Sequence, residues 1–402
     1  MLEQTSTNEA NSVSKHFATA KRLGKIKPSG IRKLFSATQQ IPNAISLGIG
    51  EPDFTTPAHI INAAKQALDQ GKTHYPPSAG IPQLCEALAK KAKHDYGLEY
   101  NPNNEVLVAV GATEAVFLAL MALINPKDEV LLLNPGFVCY EPDVLIAGGT
   151  PVSVPIYEEK GFNLDVSSVM SHITDKTRVI IINSPNNPTG AVFSYDDLLK
   201  LSRLVVERDL VVISDEVYEK IVYDSAKHFC LATFPGMRER TIVVNSFSKT
   251  YAMTGFRVGY ALGPTELIDS MTRVHQYSVA CVDGAAQYAA VAALEGSQVC
   301  IKTMVTEFAR RRRLMHKCLN EINGLSCTLP KGAFYIFANI KQFKMSSAEF
   351  AYHLANEGKL VTVPGSAFGE NGEGYLRLSY ATAYEKIEEA MDRIEQAVKK
   401  FR

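Results

Sequence analysis

The stretch SFSKTYAMTGFR, residues 246–257, directly follows an apolar run at residues 241–245 that is bounded by polar residues. An apolar run of this length between polar boundaries is typical of a buried β-strand. Lys249 therefore stands just beyond the end of a strand, where its charge is costly unless another group neutralises or binds it. An amine in such surroundings is suited to condense with an aldehyde.

Strands and helices alternate along the chain on the N-terminal side of this stretch. Further short β-rich runs lie at residues 105–111, 129–133, 151–156, 178–182 and 210–214. Apolar residues at helical spacing predict helices at residues 56–70, 113–124 and 194–208. Strands separated by helices predict a mostly parallel sheet that is covered on both faces. Ligands of such sheets bind beyond the carboxyl ends of the strands.

The pattern changes after about residue 295. A long amphipathic helix precedes the segment GAFYIF at residues 332–337, and the chain closes with an amphipathic helix at residues 384–401. The first residues, up to about 28, are polar and rich in serine. We expect an N-terminal arm with part of a small domain at residues 1–55, a large domain at 56–295 and a small α+β domain at 296–402.

The charges of the chain balance, with 42 lysines and arginines against 42 aspartates and glutamates. A neutral protein is not expected to bind nucleic acid or a membrane surface, since both need an electropositive face. The run of four arginines at residues 310–313 is the strongest candidate for a basic patch. Apolar residues flank it at helical spacing, so we interpret it as a solvated face of the long helix.

Cysteine and histidine usage indicates a reducing compartment. The seven cysteines include no CxxC pair, and the nine histidines show no metal-ligand spacing, so we predict neither a disulfide framework nor a metal site. The polar start of the chain carries no signal peptide, and no run approaches the roughly 20 apolar residues of a membrane span. We therefore expect a cytoplasmic protein.

The surroundings of Lys249 could bind a phosphate group. Ser246, Ser248 and Arg257 offer two hydroxyls and a guanidinium to a phosphate dianion. The turn Gly-Ala-Thr at residues 111–113 joins a predicted strand to a predicted helix, and its N–H groups and the helix dipole would add to an anion site. A lysine beside a phosphate site is what pyridoxal 5′-phosphate (PLP) requires, because this cofactor binds enzymes as a Schiff base.

Other strand ends offer partners for the ring of PLP. Asp215 follows a predicted buried strand and could pair with the pyridine nitrogen, since a buried carboxylate needs a cation; alternatively, it only caps the next helix. Tyr218 and Asn187 could bond the phenolic oxygen O3′, although the rigid turn around Asn187 is also compatible with an ordinary tight loop. Phe137 could stack on the ring or belong to the core.

Arg377 lies between Leu376 and Leu378 in an alternating strand at residues 374–380, so it points away from both leucines. Its planar fork suits a carboxylate. The alternative is a surface arginine on the solvated side of an edge strand.

Together these stretches resemble the class I aminotransferases of PLP fold type I, over essentially the whole chain beyond the N-terminal arm. The matching stretches are LGIGEPDF at 47–54, Tyr75 with AGI at 79–81, NNPTG at 186–190, SDEVY at 214–218, SFSK at 246–249 with Arg257, GAFY at 332–335 and Arg377. The resemblance implies a mostly parallel seven-stranded sheet between helices, with a smaller α+β domain.

The resemblance also implies a role for each matching residue. Lys249 would be the Schiff-base lysine and proton shuttle, Asp215 would pair with the ring nitrogen, and Tyr218 and Asn187 would hold O3′. Phe137 would stack on the ring, where the family often has tryptophan. The implied phosphate ligands are Gly111, Ala112, Thr113, Ser246, Ser248, Arg257 and, from the neighbouring subunit of a homodimer, Tyr75. The substrate α-carboxylate would be held by Arg377, Asn187 and the backbone of Gly50.

We therefore expect ping-pong amino transfer from an L-amino acid, aspartate and/or aromatic, to 2-oxoglutarate. The stretch PSGIRKLF at residues 28–35 resembles relatives that accept these substrates, whereas Thr113 stands where some bacterial aspartate transaminases have a lysine. Alternatives are an N-acyl-diaminopimelate or broad neutral (methionine or alanine) transaminase and a PLP-dependent carbon–sulfur β-lyase. A PLP-sensing transcription regulator would need a DNA-binding domain in front, and too few residues precede GEPD at 50–53.

Overall fold

A computed structural model of the chain describes residues 20–26 and 42–401. Most of the predicted N-terminal arm, including the stretch at residues 28–35, lies outside these ranges. Within them, the predicted strands and helices are present with ends that differ from the predictions by at most two residues.

The strands of the first two thirds of the chain build one large sheet. After a short β1 (Ile45–Ser46), these strands are β2 (Val106–Ala109), β3 (Glu129–Asn134), β4 (Thr150–Pro155), β5 (Thr177–Asn183), β6 (Val211–Asp215), β7 (Thr241–Ser246) and β8 (Gly259–Leu262). The seven strands β2 to β8 pair in the order β2-β8-β7-β6-β5-β3-β4. All neighbours are parallel except β8, which is antiparallel to β2 and to β7. The predicted mostly parallel, seven-stranded sheet is confirmed.

Helices flank this sheet and continue into the C-terminal part. They are α1 (Ala58–Asp69), α2 (Pro82–Tyr96), α3 (Gly111–Leu123), α4 (Tyr140–Ala147), α5 (Val166–Ser171), α6 (Tyr195–Glu207), α7 (Phe247–Thr250), α8 (Thr265–Ser278), α9 (Gly284–Glu295), α10 (Val299–Glu321), α11 (Ser347–Gly358) and α12 (Tyr384–Lys399).

The central strands are apolar at nearly every position because both faces of the sheet are covered. In β5, Ile180 belongs to a buried cluster that includes Leu201 of α6. Its neighbours Val179 and Ile181 belong to a second cluster, which includes Val116 of α3. Successive side chains of a strand point to opposite faces, so an uninterrupted apolar run gives each face its own core.

A smaller sheet region follows the long helix α10. It contains β9 (Tyr335–Asn339), β10 (Leu360–Val361), β11 (Val363–Pro364) and β12 (Tyr375–Ser379). The strands β11, β12 and β9 form an antiparallel sheet, and β10 pairs in parallel with β1. The segment around residue 45 thus joins the smaller part, and the smaller sheet domain is confirmed. The boundaries at residues 55/56 and 295/296 stay predictions.

The arginine run at residues 310–313 is not a solvated helix face, and that interpretation was wrong for two of its members. The side chain of Arg311 is buried and pairs with Asp53 at 2.8 Å. Arg312 is 1% exposed and donates to the Pro330 carbonyl at 2.7 Å and to the carboxylate of Asp224. Successive helical residues are about 100° apart, so four consecutive arginines must surround the helix and cannot share one face.

Phe334 should contribute strongly to stability because it is fully buried where the smaller part meets the central sheet. Its ring lies 5.4 Å from the rings of both Tyr218 and Phe308. We predict that Phe334→Ala lowers the free energy of unfolding by about 3–5 kcal/mol, through lost apolar contacts and a cavity. Tyr352→Ala is the control, because Tyr352 is 59% exposed, and it should cost about 0.5 kcal/mol or less. Denaturant unfolding of both variants tests this, and equal losses would contradict it.

Candidate active site

A cavity of about 240 Å³ lies at the carboxyl ends of the parallel strands. The last residues of three adjacent strands line it, namely Asn183 of β5, Asp215 of β6 and Ser246 of β7. Gly48 and Arg377 line it from the smaller part of the chain. Polar side chains that follow parallel strands meet at one edge of the sheet, which is where ligands of such folds bind.

The structure brings most of the predicted site residues to this one cavity. Those that line it are Gly50, Ala112, Thr113, Phe137, Asn187, Asp215, Tyr218, Ser246, Ser248, Lys249, Arg257 and Arg377. Gly111 lies directly beside the cavity, since a Cβ on it would be 2.5 Å from Nη2 of Arg257. Tyr75 does not line the cavity of its own chain and is 90% exposed. The roles assigned to these residues stay predictions.

Lys249 is held at the cavity by the turn from β7 into the short helix α7. Ser246 ends the strand and caps the helix, with its hydroxyl accepting from the N–H of Ser248 at 3.0 Å. The Lys249 ammonium donates to the carbonyl of Gly50 at 2.5 Å. Burial lowers the pKa of the Lys249 amine to about 8, although the nearby carboxylate of Glu51 acts against this shift. The neutral, nucleophilic form of this amine is therefore more populated near neutral pH than it is for an ordinary lysine.

Asp215 is a buried carboxylate whose hydrogen bonds leave room for a cation. It accepts from the hydroxyl of Tyr140 at 2.6 Å and from the N–H of Val217 at 3.3 Å. Burial raises its pKa to about 6, while the bond from Tyr140 acts in the opposite direction. A positively charged ring nitrogen beside it would stabilise the ionised form.

Glu216 directly follows β6, and the hydrogen bonds of its carboxylate fix this end of the strand. It accepts from Ser214 at 2.9 Å and lies 2.9 Å from Nε2 of His228. Glu219 completes this acidic cluster and pairs with Lys91 at 2.7 Å. The carboxylates of the cluster thus have cationic or titratable partners within the protein, unlike Asp215.

The start of α3 forms a turn suited to an anion. Gly111 has a φ of +78°, a conformation that favours glycine, and its lack of a side chain lets the guanidinium of Arg257 approach closely. Glu114 accepts from the N–H of Val110 at 2.5 Å and pairs with His275 at 3.1 Å, which fixes the turn from behind. The first N–H groups of a helix lack partners within it, so they can bind an anion next to Arg257.

Arg377 is a buried guanidinium that has no carboxylate partner among the residues described in the structure. It donates to the amide oxygen of Asn187 at 3.0 Å and to the carbonyl of Gly48 at 2.7 Å. Its Nε atom is buried without a hydrogen-bond partner. Since the residue is only 2% exposed, the alternative of a surface arginine is wrong. A buried, unpaired guanidinium suits the carboxylate of a ligand.

Comparisons with known proteins identify the family of the chain. The family model described as aminotransferase class I and II matches residues 42–394. The chain belongs to the class I and II aminotransferases.

Named relatives of this aminotransferase cover nearly its whole length. It is 50% identical to the aspartate aminotransferase of Pyrococcus abyssi and 50% identical to the aromatic-amino-acid aminotransferase 2 of Thermococcus litoralis, with 95% of this chain and 98% of each relative covered. The solved structure of an aromatic aminotransferase from Pyrococcus horikoshii is 48% identical, with a TM-score of 0.88 over 92% of this chain and 99% of that one.

The predicted enzyme class is therefore confirmed. The aminotransferase transfers an amino group between an amino acid and a 2-oxo acid, and the comparisons do not favour the lyase or regulator alternatives. None of the helices in the described part of the chain has the length and apolar character to cross a bilayer.

Sequence reasoning missed four polar residues that line the cavity of the aminotransferase: Tyr140, Asp143, Asn183 and Tyr335. Tyr140 reaches Asp215 across 75 positions of sequence, and Tyr335 lies 2.8 Å from the hydroxyl of Tyr218 across 117 positions. Burial raises the pKa of the Asp143 carboxyl to about 7. The position of Tyr335 in the GAFY segment was a usable signal. Tyr140 and Asp143 belong to a short helix, and nothing in its sequence marks them as site residues.

The lowered pKa of Lys249 should be visible in its reactivity. We predict that trace acetic anhydride labels Lys249 of the cofactor-free enzyme with a half-maximal rate near pH 8. The folded protein disfavours the charged form, so the neutral amine predominates above this pH, whereas the lysine of an unstructured reference peptide added to the same reaction becomes neutral only above about pH 10.4. Mass spectrometry of labelled peptides compares the two residues. The same midpoint for both would contradict the assignment.

Proposed function

We propose that this aminotransferase uses PLP to move an amino group from an aspartate and/or aromatic L-amino acid to 2-oxoglutarate. The observation that carries the proposal is the convergence of a partly buried amine, a buried carboxylate and a buried guanidinium on one cavity, at Lys249, Asp215 and Arg377. Each of the three lacks an oppositely charged partner within salt-bridge distance among the described residues. A bound cofactor and substrate would supply those partners.

The residues of the cavity fit the groups of PLP. The glycine turn at the start of α3, where a Cβ would collide with Arg257, leaves N–H groups and a guanidinium for the phosphate. Asp215 suits the ring nitrogen, and the flat side chain of Phe137 suits the ring face. When bound, PLP withdraws electrons from the α-carbon of the substrate and so makes its proton acidic.

The chain itself would position the substrate and move the proton. Arg377, the side-chain amide of Asn187 and the backbone N–H of Gly50 would hold the α-carboxylate, which fixes the α-carbon relative to Lys249. With a pKa lowered to about 8, the Lys249 amine can accept this proton and donate it again near neutral pH. Tyr218 and Asn187 would hold the phenolic oxygen, and Asp215 would remain ionised beside the ring nitrogen.

The charged residues of the cavity determine which substrate side chains it suits. Among the described residues, the cations that line the cavity are Lys249, Arg257 and Arg377. Each of them is already assigned to the cofactor or to the α-carboxylate of the substrate. Phe137 and Val116 add apolar surface. Aromatic donors match this lining directly, and the second carboxylate of aspartate would gain from a further cation. Names of relatives support both classes, since one is an aspartate and the other an aromatic-amino-acid aminotransferase.

We also propose a cytoplasmic homodimer in which Tyr75 reaches the phosphate site of the neighbouring subunit. Two tyrosines of the described chain are almost completely exposed, Tyr75 at 90% and Tyr277 at 93%. Exposed aromatic surface of this kind is typical of a subunit interface.

Replacing the proposed Schiff-base lysine should abolish the covalent attachment of the cofactor in a protein that still folds. In the wild-type enzyme, borohydride should fix the cofactor covalently to the peptide that contains Lys249. We predict that Lys249→Ala loses both this adduct and the visible absorbance of the bound cofactor, because it removes the only amine that the described residues place in the cavity. Lys302→Ala, which changes an exposed lysine, should retain both. A borohydride-fixed cofactor in Lys249→Ala would falsify the assignment.

Adding a cation to the cavity should shift the substrate preference. Half-reactions with single amino acids, followed by loss of the visible absorbance, should be fastest for aspartate and/or aromatic amino acids. We predict that Thr113→Lys raises kcat/KM for aspartate relative to phenylalanine by about tenfold, as expected for a new ion pair of about 1.4 kcal/mol. Thr113→Met, of similar length without charge, controls for the lost hydroxyl. An unchanged ratio, or fastest reaction with methionine or alanine, would count against the proposed specificity.

A further inference from the structure

Tyr335, the first residue of β9, touches three groups that the proposed function uses. It is 1% exposed, and its hydroxyl lies 2.8 Å from the hydroxyl of Tyr218. The guanidinium of Arg377 stacks over its ring at 4.4 Å. A Cβ placed on Gly50 would be 2.6 Å from the Tyr335 hydroxyl, and the carbonyl of Gly50 accepts from Lys249. The side chain therefore forms part of the cavity wall beside all three groups.

The two tyrosine hydroxyls share one hydrogen bond, so only one of them can be its donor. A tyrosine hydroxyl has a single proton. If Tyr218 donates to Tyr335, that proton is unavailable to any ligand in the cavity. If Tyr335 donates to Tyr218, the proton of Tyr218 is free to point into the cavity. Burial raises the pKa of both phenols, so both protons are retained at the pH of catalysis.

We propose that Tyr335 is a positioning residue, which donates its proton to Tyr218 and thereby directs the proton of Tyr218 to O3′ of the cofactor. The inference rests on the proposed function. A hydroxyl that accepts one hydrogen bond becomes a better donor in the next, because successive hydrogen bonds polarise one another. The relay from Tyr335 through Tyr218 should thus bind O3′ more strongly than an isolated tyrosine would.

A stronger hydrogen bond to O3′ has a consequence that absorbance can measure. The bond withdraws negative charge from O3′, and this lowers the ability of O3′ to stabilise a proton on the neighbouring nitrogen of Lys249 in the loaded enzyme. That nitrogen should therefore lose its proton at a lower pH when the relay is intact. The visible absorbance of the holoenzyme changes with this protonation, so its pH midpoint reports the relay.

The test is a pH titration of the visible absorbance of four holoenzymes. Tyr335→Phe should raise the midpoint by about 0.3 to 1 pH unit, the scale of one modest hydrogen bond. Tyr218→Phe should raise it further, and the double variant should titrate like Tyr218→Phe alone, because Tyr335 acts only through Tyr218. Tyr380→Phe is the control, since Tyr380 is equally buried in the same apolar cluster but bonds the Ala333 carbonyl at 3.2 Å. Its midpoint should equal that of the wild type.

Either of two results with the phenylalanine variants would overturn the inference. One is an unchanged midpoint in a Tyr335→Phe holoenzyme, and the other is an equal shift from Tyr335→Phe with and without the hydroxyl of Tyr218. If Tyr335→Phe does not fold, 3-fluorotyrosine at position 335 preserves the hydroxyl as a better donor and should lower the midpoint; no decrease would also overturn the inference. Wild-type enzyme that never develops visible absorbance with PLP would instead refute the proposed function.

Discussion

Lys249, Asp215 and Arg377 line one cavity, the first partly buried and the other two buried, and none of them has an oppositely charged side chain within salt-bridge distance in the described structure. Removing an unpaired charge from water costs several kcal/mol. The protein offsets part of this cost with neutral partners: a carbonyl for Lys249, a phenol for Asp215, and an amide oxygen with a carbonyl for Arg377. Much of the remaining fold can be understood as the means of holding these three groups in place.

The central sheet and the smaller part supply different members of this set. Asp215 and Lys249 follow parallel strands, whose positions are fixed by two buried cores, one on each face of the sheet. Arg377 comes from β12 of the smaller sheet and donates to Asn187, in the turn that follows β5 of the large sheet. The cavity therefore exists only when both parts are docked. This explains why Phe334 and Tyr335, at the junction of the two parts, contact both a core and the site.

The sequence predicted the parallel strands well because an uninterrupted apolar run indicates a strand that is buried on both faces. The residues at the carboxyl ends of parallel strands then lie at the same edge of the sheet. The sequence could also place Lys249, Asp215 and Arg377, because charged residues beside apolar runs are unusual. It missed the antiparallel β8, a four-residue strand that begins with glycine and pairs through backbone atoms. The bond between Tyr140 and Asp215 was inaccessible because it joins distant segments. The burial of Arg311 and Arg312 depends on Asp53 and Asp224, whose proximity only the tertiary structure reveals.

The segment from β1 to Gly50 is attached to the smaller sheet rather than to the large one. Leu47 donates to the Val361 carbonyl at 2.8 Å and accepts from the N–H of Ser379 at 2.6 Å. Two of the three carbonyls that follow on this segment, those of Gly48 and Gly50, accept hydrogen bonds from Arg377 and Lys249 respectively. Any rigid displacement of the smaller sheet thus moves the guanidinium and the acceptor of the lysine together. The six backbone residues from 45 to 50 therefore couple the position of the Arg377 guanidinium to the position of the carbonyl that accepts from Lys249.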